Sequence, residues 1–184
     1  LQDNGQTSAA DLHLEANESA FIVFSNEQET GLTDYSSAER ETLLTIDTPW
    51  KVDFQKGMRG PDETYVMTEL QTWDKNEDEH IRYFSGTATY TNTFKLKKQP
   101  DQPVWIDLGR VMVMARVYVN NQYAGGVWTS PYRLNIQHLL HKGTNTLRVE
   151  VVNNWQNRRI GDQKLPENER PTWTSVNPWR ADSP

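Results

Sequence analysis

Eight side chains have the types and spacing for recognition chemistry: Trp128, Tyr132 and Arg133, then Asn154, Trp155, Asn157, Arg158 and Asp162. Aromatic faces stack on the C–H faces of pyranose rings, while Asn, Asp and Arg pair their hydrogen bonds with vicinal hydroxyls. The two groups fall at the ends of two strand-like segments, where loops gather and where binding residues tend to sit. Sugar contact is one chemistry they could perform. The other is structural: Trp128 and Trp155 capping a core, and Arg158, Arg159 and Asp162 forming an ion pair that docks the tail or a neighbouring domain. Both readings stand at this level.

Other chemistries find less support. Glycoside hydrolysis needs two carboxylates roughly 5 to 10 Å apart across the scissile bond, and most carboxylates here lie in polar loops. Asp107 and Glu150 lie on alternating strands facing outward and are expected to pair with Arg116 or Arg148 across the sheet. His138 and His141 have no third metal ligand nearby in sequence and read as a capping turn. Asp74-x-Asn76-x-Asp78 imitates the start of a calcium loop, but Glu79 stands where Gly is required and Ser85 where the bidentate Glu belongs. An EF-hand is rejected, and the acidic run from Asp74 to Glu79 reads as a solvated loop. No Gly-rich phosphate loop follows a strand, and no Ser sits in a nucleophile elbow. No metal-ligating residues and no cofactor are assigned; calcium held by backbone carbonyls is not legible in a sequence.

The elements that must position these residues follow from composition and periodicity. The 184 residues are 35% hydrophobic and 24% charged, with seven Trp and seven Tyr, a globular balance with more aromatics than a core of this size absorbs. A net charge of −6 opposes a phosphate backbone and disfavours nucleic acid as a partner. There is no cysteine and no apolar run near the roughly 20 residues that span a bilayer. The start, without Met or leader, reads as a boundary within something longer.

Strands are expected at Phe21 to Phe24, Leu43 to Ile46 and Thr64 to Leu70. Trp50, Val52 and Phe54 alternate with Lys51 and Asp53 and should face inward. Further inward sets are Ala88, Tyr90, Phe94 and Leu96; Val104, Ile106 and Leu108; Val113, Ala115, Val117 and Val119; and Leu147, Val149 and Val151. Asn92 interrupts its series and predicts a bulge or an edge contact. Asn120-Asn121 supplies hairpin chemistry, and His138 to Lys142 one helical turn stopped by Gly143. No window has helical periodicity, so about eight to ten short strands predict an all-β sandwich, a jelly roll. Three regions are expected: residues 1–47 with one or two strands, 48–160 as the sandwich, and 161–184 as a Pro- and Trp-rich tail. In that tail Trp173 and Trp179, with Pro166, Pro171 and Pro178, read as an extended strap whose role is packing.

Tyr83-Phe84-Ser85-Gly86-Thr87-Ala88-Thr89-Tyr90, Ile106-Asp107-Leu108-Gly109, Val117-Tyr118-Val119-Asn120 and Gly143-x-Asn145-x-Leu147-x-Val149-x-Val151 resemble the galactose-binding-like jelly-roll domain of family 2 glycoside hydrolases. The run Asn153 to Asp162, with Trp128 and Pro131-Tyr132-Arg133 before it, is similar to the C-terminal region of family 106 α-L-rhamnosidase-like enzymes of Bacteroides-type glycan degraders. The resemblance spans roughly residues 45 to 175; Asn121 departs from it by standing where the hairpin turn usually carries Gly. It implies a non-catalytic accessory module of a larger glycoside hydrolase, with the catalytic acids on a separate barrel domain. Its implied partners are that catalytic domain and a plant or other complex glycan, and its implied location is periplasmic or extracellular. A free-standing carbohydrate-binding module and a purely structural interdomain module are the alternatives.

Overall fold

The computed structural model describes residues 41–175 without a break and, before them, residues 2, 3, 5, 8, 9, 14, 17 and 19–21. Two compact units result, Leu1–Thr45 and Ile46–Pro184. In the first, β1 (Gln2–Asp3) and β2 (Ser8–Ala9) pair antiparallel. The strand expected at Phe21 to Phe24 lies outside the described residues except for Phe21, which is exposed. The strand expected at Leu43 to Ile46 does not form, and Leu43 and Leu44 are exposed. Two adjacent leucines cannot share one face of a strand, so pairing would bury only one of them.

In the second unit the chain passes through β3 (Trp50–Phe54), β4 (Tyr65–Met67), the short helix α1 (Glu79–Arg82), β5 (Thr87–Leu96), β6 (Trp105–Asp107), β7 (Met114–Val119), β8 (Gln122–Val127), β9 (Arg133–Asn135), β10 (Gly143–Val152) and helix α2 (Gln156–Asp162). Six strands form one antiparallel sheet in the order β4-β3-β5-β10-β7-β8, and β6 pairs with β9 in a second layer. This is the all-β sandwich the alternation predicts. Val52, Phe54, Ala88, Tyr90, Ala115, Val117, Val119, Leu147 and Val149 point into its core, with Ile106 and Leu134 packed against them from the second layer. At Gly125 (φ +143°) a side chain would meet Leu134 at 3.1 Å, so the glycine lets the two layers approach.

Several local expectations need correction. Val113 is exposed, because β7 begins one residue later. Of the two outcomes expected at Asn92 the bulge is absent, since the β5–β10 ladder runs straight through it; the contact forms, just past the end of the β3 pairing, where Nδ2 donates to the Thr48 carbonyl and Oδ1 accepts its hydroxyl, both at 3.1 Å. The charged residues of the acidic run, Asp74, Lys75, Glu77, Asp78 and Glu79, are exposed as expected of a solvated segment, but the run is anchored at both ends. Trp73 inserts against Phe54 and Phe84 and draws the segment down. Asn76 is thereby buried, and Asp78 caps α1 by accepting the His80 N–H at 2.8 Å. The turn expected from His138 is a 3-10 turn at Gln137–Leu139, and Gly143 (φ +98°) opens β10 rather than stopping a helix. Asn120 and Asn121, both at positive φ, form the β7–β8 hairpin as predicted.

Candidate functional site

The alternation of β10 ends at Val152, and the next residue redirects the chain. Asn153 donates to the Phe84 carbonyl at 2.9 Å and accepts the Gly86 N–H at 3.0 Å. Asn154 then accepts the Gln156 N–H at 3.1 Å, an Asx turn that starts α2. The segment after β10, where no helical periodicity is visible in the sequence, is therefore a helix. Its seven residues are fewer than two helical turns need to display a period. Two contacts clamp it to the segment before β5: the Arg158 N–H donates to Ser85 Oγ at 3.0 Å, and Gly161 lies so close to Tyr83 that a Cβ there would sit 2.7 Å from that ring.

Arg158 and Asp162 face each other one turn apart, Nε to Oδ1 2.6 Å, with side chains 11% and 0% exposed. The other Asp162 oxygen accepts the Thr172 N–H at 3.1 Å and also the Thr172 hydroxyl. A buried ion pair thus fastens the tail to α2. Beyond the fastening, Trp155, Arg159, Thr172, Trp173 and Thr174 line an open groove of about 400 Å³. Trp155 is 55% exposed and Trp173 88%. Trp173, expected to pack in a strap, instead presents its indole to solvent; Trp179 and Pro178 lie outside the described residues.

Of the eight candidates, Trp155 lines this groove. Asn154 is engaged in its turn, Asn157 is half-buried on α2, and Arg158 and Asp162 hold each other. Trp128 is exposed in the β8–β9 connection, whereas Tyr132 packs against the core and its carbonyl accepts the Leu108 N–H at 3.0 Å. Arg133 stands opposite Asp107 on the β6–β9 pair and binds it at 2.7 Å. The partner expected for Asp107, Arg116 or Arg148, is thus corrected: β6 belongs to the other layer, and alternation does not say which strand lies beside it. Glu150 does pair with Arg116, at 3.2 Å, and with Arg148.

Sequence reading missed Arg159, Thr172, Trp173 and Thr174 as groove residues. The signal was the Thr-Trp-Thr alternation at 172–174. Among the described residues that line the groove none is a carboxylate, and those present can stack and hydrogen-bond. Among the described residues there is no group of three His, Cys, Asp or Glu placed to hold a metal, and no helix long and apolar enough to cross a membrane.

An antiparallel β-sandwich with few helices is the architecture of a galactose-binding-like module. The chain belongs to the glycosyl hydrolase 2 galactose-binding domain-like family, whose model matches residues 64–182. A putative β-glucuronidase of Formosa agariphila is 38% identical over 136 residues, covering 71% of this chain and 12% of that protein. The solved rhamnosidase of Novosphingobium sp. PP1Y superposes with a TM-score of 0.71 at 38% identity, over 84% of this chain and 15% of that one. A β-glucuronidase of Ruminococcus gnavus, at 19% identity and a TM-score of 0.50 over 59% of this chain and 21% of its own, shares the fold. The chain spans less than a quarter of the length of each of these relatives.

Proposed function

We propose that this domain is the accessory, sugar-binding module of a larger glycoside hydrolase and contributes no catalytic acid of its own. The observation that carries the reading is the pair of exposed indoles, Trp155 and Trp173, on one groove with Arg159, Thr172 and Thr174. Indole faces stack on pyranose C–H faces, and the polar walls orient the hydroxyls. The glycan is a plant or other complex one, with rhamnose the first sugar to try. A rhamnosidase relative at 38% identity and the similarity of Asn153 to Asp162 to family 106 enzymes support that choice. The partner domain carries the catalytic carboxylates, and the whole enzyme works in the periplasm or outside the cell, where such polymers are met.

A glycan array on the 184-residue chain tests this, with Trp155→Ala, Trp173→Ala and Trp128→Ala beside it. Binding lost in the first two with unchanged thermal stability, and kept in the third, is the expected result. No glycan bound, or full binding by Trp155→Ala, overturns it.

One observation favours a second, structural role. Met114 lies opposite Val152 and Ala115 opposite Val127, so the exposed Met112, Val113, Met114 and Trp128 all sit at one end of the sheet. An apolar end of this kind suits docking of the catalytic domain. Slowed amide exchange at residues 112–114 in the full enzyme relative to this chain is the expected mark of that contact.

A further inference from the structure

The outward face of the six-stranded sheet carries a constellation that neither the groove nor the core uses. Arg148 stands opposite Tyr118 in the β10–β7 ladder, and its guanidinium carbon lies 3.6 Å from the centre of the Tyr118 ring. Tyr123, on the edge strand β8, is tilted against Tyr118 with centroids 5.4 Å apart. A Cβ on Gly126 would come within 3.3 Å of the Tyr123 hydroxyl, so that ring lies along the strand over a position with no side chain. The result is an aromatic platform, 58% exposed at Tyr123. Beside it, Glu150 binds both Arg116, at 3.2 Å, and Arg148. The residues across the ladder on the far side, Thr91 and Thr89, are uncharged. Two guanidinium groups held by one carboxylate leave this patch with an excess positive charge, on a chain whose net charge is −6.

We propose that this strip is a second carbohydrate platform, specific for a carboxylated glycan. A uronate ring lays its C–H face on Tyr123 and directs its carboxylate to the guanidinium groups that Glu150 holds in place. Glu150 orients both forks before the ligand arrives, which lowers the ordering cost of binding. The inference is independent of the groove, since none of its residues lines that site.

The test is a titration of the isotope-labelled 184-residue chain with oligogalacturonate and, in parallel, with a neutral maltohexaose. Amide shifts at Tyr118, Tyr123, Arg148 and Thr91 are expected with the uronate alone, and added salt should weaken them. Tyr123→Ala and Arg116→Gln should each weaken binding about tenfold or more, while Tyr123→Phe, which keeps the ring, should retain it. Shifts of equal size with the neutral sugar overturn the proposal, as does their absence. Binding that ignores the loss of the Tyr123 ring would reduce the strip to diffuse charge attraction and overturn it equally.

Discussion

Asp162 receives Arg158 on one carboxylate oxygen and Thr172 on the other, so a helix turn and a tail segment ten residues away share a single buried anion. Burial of that pair withdraws both charges from solvent, and each is tolerated only through the other. The groove wall bearing Trp173 depends on this fastening, because Thr172 immediately precedes it.

Asp162→Ala should therefore strand the Arg158 guanidinium and lower stability by about 3–5 kcal/mol. Thr172→Val, which removes only the hydroxyl, should cost about 1–2 kcal/mol. Urea denaturation of the two variants distinguishes them, and equal losses would argue against the buried pair as the anchor.

Tyr90 makes stability depend on alkaline pH. Burial pushes its phenol above the usual value near 10, against the opposing effect of the hydrogen bond it receives from Trp73 Nε1 at 2.6 Å. The folded state thus holds this proton more tightly than the unfolded one. The associated stability is complete below pH ~10 and is lost as pH rises from there through the raised folded value. Tyr90→Phe should cost about 1–3 kcal/mol at neutral pH by leaving the Trp73 N–H unpaired. It should also show a shallower decline above pH ~10 than the wild type in denaturation at stepped pH.

Gly161→Ala tests how α2 is seated. Helix propensity alone favours Ala by about 1 kcal/mol, yet the new methyl would meet Tyr83 at 2.7 Å. A net loss of about 1–3 kcal/mol is expected from the overpacking. A rise in melting temperature would mean that α2 can lift off Tyr83 freely.

The two hairpin asparagines should respond differently although both have positive φ. Asn121→Gly should be neutral or stabilise by a few tenths of a kcal/mol, since glycine adopts this conformation without strain. Asn120→Gly should cost about 2–3 kcal/mol. Its amide donates to the Leu139 carbonyl and to Asn145 Oδ1, and its oxygen accepts the Thr146 N–H. Thermal melts of the pair read the contrast directly.

Much of the fold was legible because strand faces are written locally. Trp50, Val52 and Phe54, or Ala115, Val117 and Val119, occupy every second position, and the side chains of a pleated strand must then share a face. Helix α2 was not legible, since seven residues show no period and its start relies on an Asn154 side chain that could equally serve a loop. Trp73 escaped notice just ahead of an acidic run, where the charges that follow it outweighed one indole in any local average. The candidate site divided in the same way: the aromatic types were visible, but a Trp that packs and a Trp that faces solvent are the same residue in sequence.

The sequence by itself determined the layer type, the inward faces and the β7–β8 turn, all of which depend on residues within a few positions of one another. Only the tertiary structure decided partners and exposure. It set Arg133 rather than Arg116 or Arg148 against Asp107, withdrew Arg158 and Asp162 into a mutual pair, and brought Trp173 beside Trp155. Those outcomes depend on strand order and on where the tail is fastened, which are contacts between segments far apart in the chain, and periodicity carries no information about them.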